Sequence, residues 1–152
     1  MAAGEKYYII VVGSGLLGSY LAGRLSQEGH AVVVIDIRPD ALESLPAEYS
    51  GFRIEGDATE YALLREAKTD QADLVIATTR EDNVNLMVAQ MARRVFKVPR
   101  VMARVFDPRR QEVYRLLGVE TVSPTVIAGE LILKAVAEPP GAGPMTETPC
   151  AS

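Results

Sequence analysis

Tyr7-Tyr8-Ile9-Ile10-Val11-Val12-Gly13-Ser14-Gly15-Leu16-Leu17-Gly18 is the stretch on which the fold turns. Its first six residues are β-branched or aromatic and of strand length, and they stop abruptly at glycine. Beyond the glycines, Leu17, Leu21 and Leu25 recur at the four-residue spacing of one helix face. A second apolar run, Ala31 to Ile35, ends in Asp36, eighteen residues after Gly18. That distance is close to the roughly 20 residues that separate the glycine turn from the acidic residue in a dinucleotide fingerprint. The segment Tyr7 to Asp36 therefore reads as strand, glycine turn, helix and strand.

Each part of the pattern has a chemical reason. Gly13 permits the tight turn, Gly15 lacks the Cβ that would hold a phosphate off the backbone, and Gly18 lets the helix pack closely. Phosphate is then expected at the helix N-terminus, where unpaired N–H groups and the positive end of the dipole converge. Asp36 at the end of the second strand can accept hydrogen bonds from ribose hydroxyls and repels a 2′-phosphate. NAD (or NADH) or a simple adenine nucleotide is thus expected over NADP. The expected binding residues here are Gly13, Ser14, Gly15, Leu16, Leu17 and Gly18, with Asp36, Ile37 and Arg38.

The chain has 152 residues, 48% of them hydrophobic and 24% charged, which suits one soluble globular domain with a sizeable core. No apolar run approaches the roughly 20 residues of a membrane span, and Met1-Ala2-Ala3-Gly4-Glu5-Lys6 lacks the apolar core of a signal peptide. The expectation is a cytoplasmic protein without direct membrane insertion. A single cysteine, Cys150, excludes an intrachain disulfide and a cysteine metal cluster. Net charge of −4 argues against general nucleic-acid binding. The charge is uneven, however: eight basic residues between Arg93 and Arg115 face only Asp107 and Glu112. A solvated helix face is the simpler reading of that stretch, and an anion pocket or acidic partner the sharper one.

The alternation continues along the chain. Pro39 to Leu45 is expected as a short helix and Gly51 to Glu55 as a strand, and Thr59 is expected to cap a helix carrying Leu63, Leu64 and Ala67. Asp73 to Ala77 is a strand closed by Thr78-Thr79. A long helix over about Glu81 to Phe96 would bury Val84, Met87, Val88, Met91, Ala92 and Val95. Arg100 to Val105 is the fifth strand, Asp107-Pro108 opens a helix that Gly118 ends, Val119 to Val122 is the sixth strand, and Ser123-Pro124 starts a last helix to about Ala137. Six strands each followed by a helix predict an α/β fold, a Rossmann-like doubly wound parallel sheet in the order 3-2-1-4-5-6. Residues 1–138 would form this nucleotide-binding domain, and 139–152, rich in proline and glycine, a disordered tail. The last helix is apolar nearly all round, since only Thr125, Glu130 and Lys134 are polar between Thr125 and Ala137. Such a helix predicts burial against a second copy of the chain.

Catalytic machinery is not legible. The only histidine, His30, lies in a Gly29-His30 turn at the amino end of the sheet and reads as a surface residue. Glu81 and Asp82 are explained by the dipole of the helix they begin. No Tyr-xxx-Lys, HExxH, GxSxG or P-loop lysine occurs. Binding without catalysis is favoured over a minimal NAD-dependent oxidoreductase.

Between about Lys6 and Val136 the chain resembles the nucleotide-binding N-terminal domain of Trk/Ktr-type potassium-uptake regulators, the TrkA-N or RCK domain. The resemblance rests on the glycine turn, Val34-Ile35-Asp36, Gly56-Asp57-Ala58-Thr59, Thr78 to Asn85, Ala103-Arg104-Val105 and Gly118 to Pro124. It implies a non-catalytic cytoplasmic regulator of a membrane potassium channel or transporter subunit, peripheral at the membrane and assembled as a homodimer or larger ring. It places Asp57 and Ala58 by the adenine, Thr78 and Thr79 along the ribose and phosphates, and Arg104 as a phosphate contact. Two departures stand out: Leu16 replaces an arginine common after the second glycine, and Thr125 an acidic residue common after Ser-Pro. Both remove support for a γ-phosphate, so NAD, AMP or ADP is expected rather than ATP. Without the small C-terminal ligand domain common in the family, the chain resembles the stand-alone form.

Overall fold

The computed structural model describes residues 3–141. Six strands, β1 (Tyr8–Val12), β2 (Ala31–Asp36), β3 (Phe52–Glu55), β4 (Leu74–Ala77), β5 (Arg100–Arg104) and β6 (Glu120–Val122), form one sheet in the order β3-β2-β1-β4-β5-β6. Every pairing is parallel, with Val11 beside Val34 on one side and Ile76 on the other. This is the expected topology. Parallel strands need crossovers, and the helices that provide them are α1 (Leu16–Gln27), α2 (Pro39–Glu43), α3 (Tyr61–Glu66), α4 (Asp82–Gln90), α5 (Gln111–Leu116) and α6 (Pro124–Ala137).

Alternation along the central strand divides the core in two. Ile9 and Val11 point to the face covered by α1 and α2, where they meet Ala22, Leu42, Leu45 and Tyr49. Ile10 and Val12 point to the other face and pack with Leu64, Val88, Ala92, Phe96 and Tyr114. Both strand faces are therefore apolar, which is why Ile9 to Val12 is a continuous hydrophobic run. On the first face Tyr49 is 4% exposed, and its hydroxyl donates to the Val32 and Phe52 carbonyls, tying the α2–β3 connection to β2.

Several local expectations are corrected. Thr59 does not cap α3: its N–H and hydroxyl both donate to Asp57 Oδ1, at 2.8 and 2.7 Å, and Glu60 is the cap residue. The long helix is not regular to Phe96. It passes at Met91–Val95 into a π turn, closed by Phe96 N–H donating to Met91 O at 3.0 Å. Val88, Ala92 and Phe96 are buried, whereas Met87, already off the buried stripe in the regular part of α4, and Val95, within the π turn, are 49% and 54% exposed. His30 is not a free surface side chain, because its Nδ1 accepts the Tyr7 N–H at 3.2 Å and its ring lies 5.5 Å from that of Tyr7. β3 and β6 begin one residue later than the apolar runs that predicted them. The last helix starts as expected at a Ser123 cap and ends at Ala137, but none of its residues is buried. Of the tail expected over 139–152, residues 142–152 lie outside the described residues.

Burial raises the Tyr49 phenol from its ordinary value to about 12. An acid whose folded-state pKa is raised contributes stability that is present below the unfolded value, near 10, and lost as pH climbs towards the folded one. Urea midpoints of the native protein should therefore fall between about pH 10 and 12. A Tyr49→Phe variant should be less stable at neutral pH and show a shallower fall over that alkaline window.

Candidate functional site

The strand order reverses between β1 and β4, and there the carboxyl ends of the strands open into a cleft of about 860 Å3. Its size falls within the range of small-molecule sites, and its position is where doubly wound sheets hold ligands.

The glycine turn forms one wall. Gly13 has φ +97°, and its N–H donates to Ile35 O at 2.8 Å. A Cβ on Gly18 would lie 1.8 Å from Gly13 O, so the first helical turn presses directly against the loop that precedes it. Thr78 locks this contact from β4: its N–H donates to Val12 O at 2.7 Å and its hydroxyl to Val12 O and Gly13 O at 3.2 and 3.1 Å. Gly15 is different, since a Cβ there would meet nothing within 4 Å. Gly15 is also the cap residue of α1 and offers no side-chain acceptor to the helix's first N–H groups. Those donors face the cleft without a side-chain cap.

Asp36 faces the turn across the cleft floor. Its Oδ2 accepts the Ser14 N–H at 2.7 Å and the Ser14 hydroxyl at 3.0 Å, while Oδ1 accepts the Arg38 N–H at 2.8 Å. This carboxylate, 11% exposed and expected as a ribose acceptor, stitches the glycine turn to the end of β2 and keeps spare acceptor capacity on Oδ1. Asp57 stands on the opposite lip, where the Thr59 hydroxyl and N–H hold its carboxyl below the usual range. Ala58 is buried beside it.

Of the fourteen residues expected to bind, Gly13, Gly15, Leu16, Asp36, Ile37, Arg38, Asp57, Ala58, Thr78, Thr79 and Arg104 line the cleft. Ser14, Leu17 and Gly18 do not, because Ser14 is turned into Asp36, Leu17 lies along α1 and Gly18 is packed on the loop. The lining also includes Gly56, Arg80, Glu81, Val84 and Phe106, which were not among the expected binding residues.

Two side chains in the first turn of α4 hold the far wall together. Asn85 is fully buried, and its Oδ1 accepts the Thr79 N–H and hydroxyl at 2.8 and 2.7 Å. Its Nδ2 donates to Thr79 O and Arg104 O, both at 3.0 Å, so one amide joins the ends of β4 and β5. Asp82 accepts the Phe106 and Asp107 N–H groups at 2.8 and 3.2 Å, a structural task beyond the dipole role expected for it. The basic stretch divides accordingly. Arg100, Arg109 and Arg115 pair with Glu120, Asp107 and Glu112, and only Arg104 enters the cleft. Its Nε is buried without a hydrogen-bond partner.

Fold and crevice together define a Rossmann-like domain with an open cleft at the switch point of its sheet. Residues 9–124 match the TrkA-N domain family, and the chain belongs to that family. It is 38% identical over 142 residues to the Trk system potassium uptake protein TrkA of Streptomyces coelicolor, covering 93% of this chain but 63% of that protein. The GsuK channel bound to NAD shares the fold at TM-score 0.72 and 22% identity, over 86% of this chain and 24% of that one. The Kef C-terminal domain of Shewanella denitrificans in AMP-bound form does so at TM-score 0.72 and 23% identity, over 86% and 82%.

An Asn85→Ala variant would take the partner from Thr79 N–H and from the Thr79 and Arg104 carbonyls, all part-buried. The expected loss is about 1 to 3 kcal/mol of stability by urea denaturation, the range for leaving such groups unsatisfied. Asn85→Asp should cost comparably, because it replaces the amide donor with an acceptor opposite two carbonyls.

Proposed function

We propose that this protein is a non-catalytic regulatory subunit that binds NAD, AMP or ADP in the switch-point cleft and acts, from the cytoplasmic side, on a membrane potassium channel or transporter. The observation that carries the nucleotide reading is the cleft between the glycine turn and the end of β5. There the uncapped N-terminus of α1, the open space at Gly15 and the unpartnered Nε of Arg104 all await an anion. These residues fit the phosphate side of an adenine nucleotide, and Asp36 with Asp57 fits its hydroxyl-bearing and base side. The potassium part is supported by the name of the Streptomyces coelicolor relative, and the choice of nucleotide by those described in the GsuK and Kef structures. Catalysis is disfavoured because, among the described residues, the cleft lining carries no histidine, cysteine, lysine or tyrosine. No group of three or more His, Cys, Asp or Glu among the described residues is placed to hold a metal, and no described helix is long and apolar enough to cross a membrane.

Mass spectrometry of nucleotide released from the purified protein tests the reading directly; a protein that neither retains nor takes up any adenine nucleotide would overturn it. Substrate-dependent NADH oxidation at a useful rate would overturn the non-catalytic part. Within the reading, Asp36→Ala should weaken NAD or ADP binding by about 1 to 3 kcal/mol by calorimetry, the range for hydrogen bonds to a charged group. NADP should bind more weakly than NAD to the native protein, and ATP with magnesium should bind no better than ADP. Leu16, 94% exposed at the first position of α1, offers a third phosphate no charge. A clear ATP preference would remove the role given to Leu16.

The proposed assembly rests on α6. Ile127, Ile132, Leu133 and Val136 are 50%, 59%, 70% and 77% exposed on a helix that buries nothing, and neighbouring α5 exposes Val113 and Leu116 at 51% and 71%. Apolar area of this extent suits a subunit interface, here a second copy of the chain. Light scattering should report a dimer or larger ring, and Leu133→Glu should shift it towards monomer. A monomeric native protein at micromolar concentration would defeat the assembly.

A further inference from the structure

Arg104 ends β5, and Phe106 follows two residues later on the same side of the cleft. The guanidinium carbon lies 4.0 Å from the centroid of the Phe106 ring. That is well inside the roughly 6 Å within which a cation and an aromatic face attract. The backbone on either side of the pair is clamped from α4: Asn85 Nδ2 donates to Arg104 O at 3.0 Å, and Asp82 Oδ1 accepts the Phe106 N–H at 2.8 Å. These bonds fix the backbone from which both side chains project, and the ring contact holds the guanidinium in place on it. Among the described residues Arg104 forms no ion pair, whereas Arg38 across the cleft lies 4.0 Å from Asp36. A flat, fixed and uncompensated guanidinium is a fork for a phosphoryl group.

We propose that Phe106 is a positioning residue that makes the cleft select diphosphate-bearing adenine nucleotides, ADP or NAD, over AMP. The inference rests on the nucleotide reading above. The N-terminus of α1 and the Arg104 fork belong to different elements, one following β1 and the other ending β5, on the two sides of the switch point. One phosphoryl group engages the helix N-terminus; only a second, carried on the same ligand, satisfies the fork. A monophosphate leaves Arg104 Nε unpaired and gains nothing from it, whereas a second phosphate relieves that unpaired donor. The ring supplies what charge alone cannot, since an arginine released from it would search many rotamers and hold the second phosphate less well.

The test is calorimetric titration of the full chain with ADP and with AMP, for native protein and for Phe106→Leu, Phe106→Tyr and Arg104→Lys. Phe106→Leu keeps the apolar bulk and removes the aromatic face; it should weaken ADP about tenfold, the upper part of the range for an exposed to half-buried cation–aromatic pair, and AMP less than about twofold. Phe106→Tyr should restore ADP binding. Arg104→Lys keeps the charge but loses the planar fork and should show the same ADP-selective loss, so it carries the test if Phe106→Leu fails to fold by circular dichroism. Equal losses for ADP and AMP, or unchanged ADP affinity, would overturn the positioning role while leaving the nucleotide reading standing. Native protein that binds neither would overturn both.

Discussion

The carbonyl of Gly13 occupies the space where any other residue at position 18 would carry its Cβ. This contact sets the distance between the end of β1 and the start of α1, and therefore where the helix dipole points. Thr78 makes the contact durable by donating to the same carbonyl from β4. Asp36 does so from β2 through Ser14. Three adjacent strand ends are thus tied to one loop, and the loop has little freedom left. The open side at Gly15 is what remains of the turn for a ligand, and it is open because every other direction is filled.

The second organising element is the first turn of α4. Asp82 and Asn85, three residues apart and so on one face of the helix, grip the ends of β4 and β5. The buried Tyr114 hydroxyl donates to the Asp82 carbonyl, which brings α5 into the same set of bonds. The cleft wall and α5, beside β6, are therefore joined by a hydrogen bond as well as by packing.

Most of the fold could be read from residues 7–36, because a parallel α/β sheet announces itself through continuous apolar runs, glycine turns and a carboxylate at fixed spacing. The site was legible where backbone geometry dictates residue type, as at Gly13, Gly15 and Gly18. It was less legible where polar side chains serve the backbone. Asp36 reads as a ligand contact from its position and Asp57 from the family resemblance, and nothing in the sequence signals that their oxygens already hold Ser14, Arg38 and Thr59. Asn85 enters the sequence reading only as the end of the Thr78 to Asn85 block, and its burial follows from the convergence of β4 and β5. Phe106 looks like a loop hydrophobe until the guanidinium beneath it is seen. The π turn was hidden because Val84, Val88 and Met91 fit an ordinary helix up to the point where it departs.

That π turn lies at the far end of α4 from the cleft, and its five-residue bond has one residue more than a regular turn needs. Removing one residue between Met91 and Val95 would let the helix close in ordinary α geometry, whereas removing one near Asn85 would swing that amide about 100° off its partners. The two ends of a single helix therefore differ in their tolerance of length change: the distal end has slack that can absorb a deletion, and the proximal end is held in register by the strands it joins.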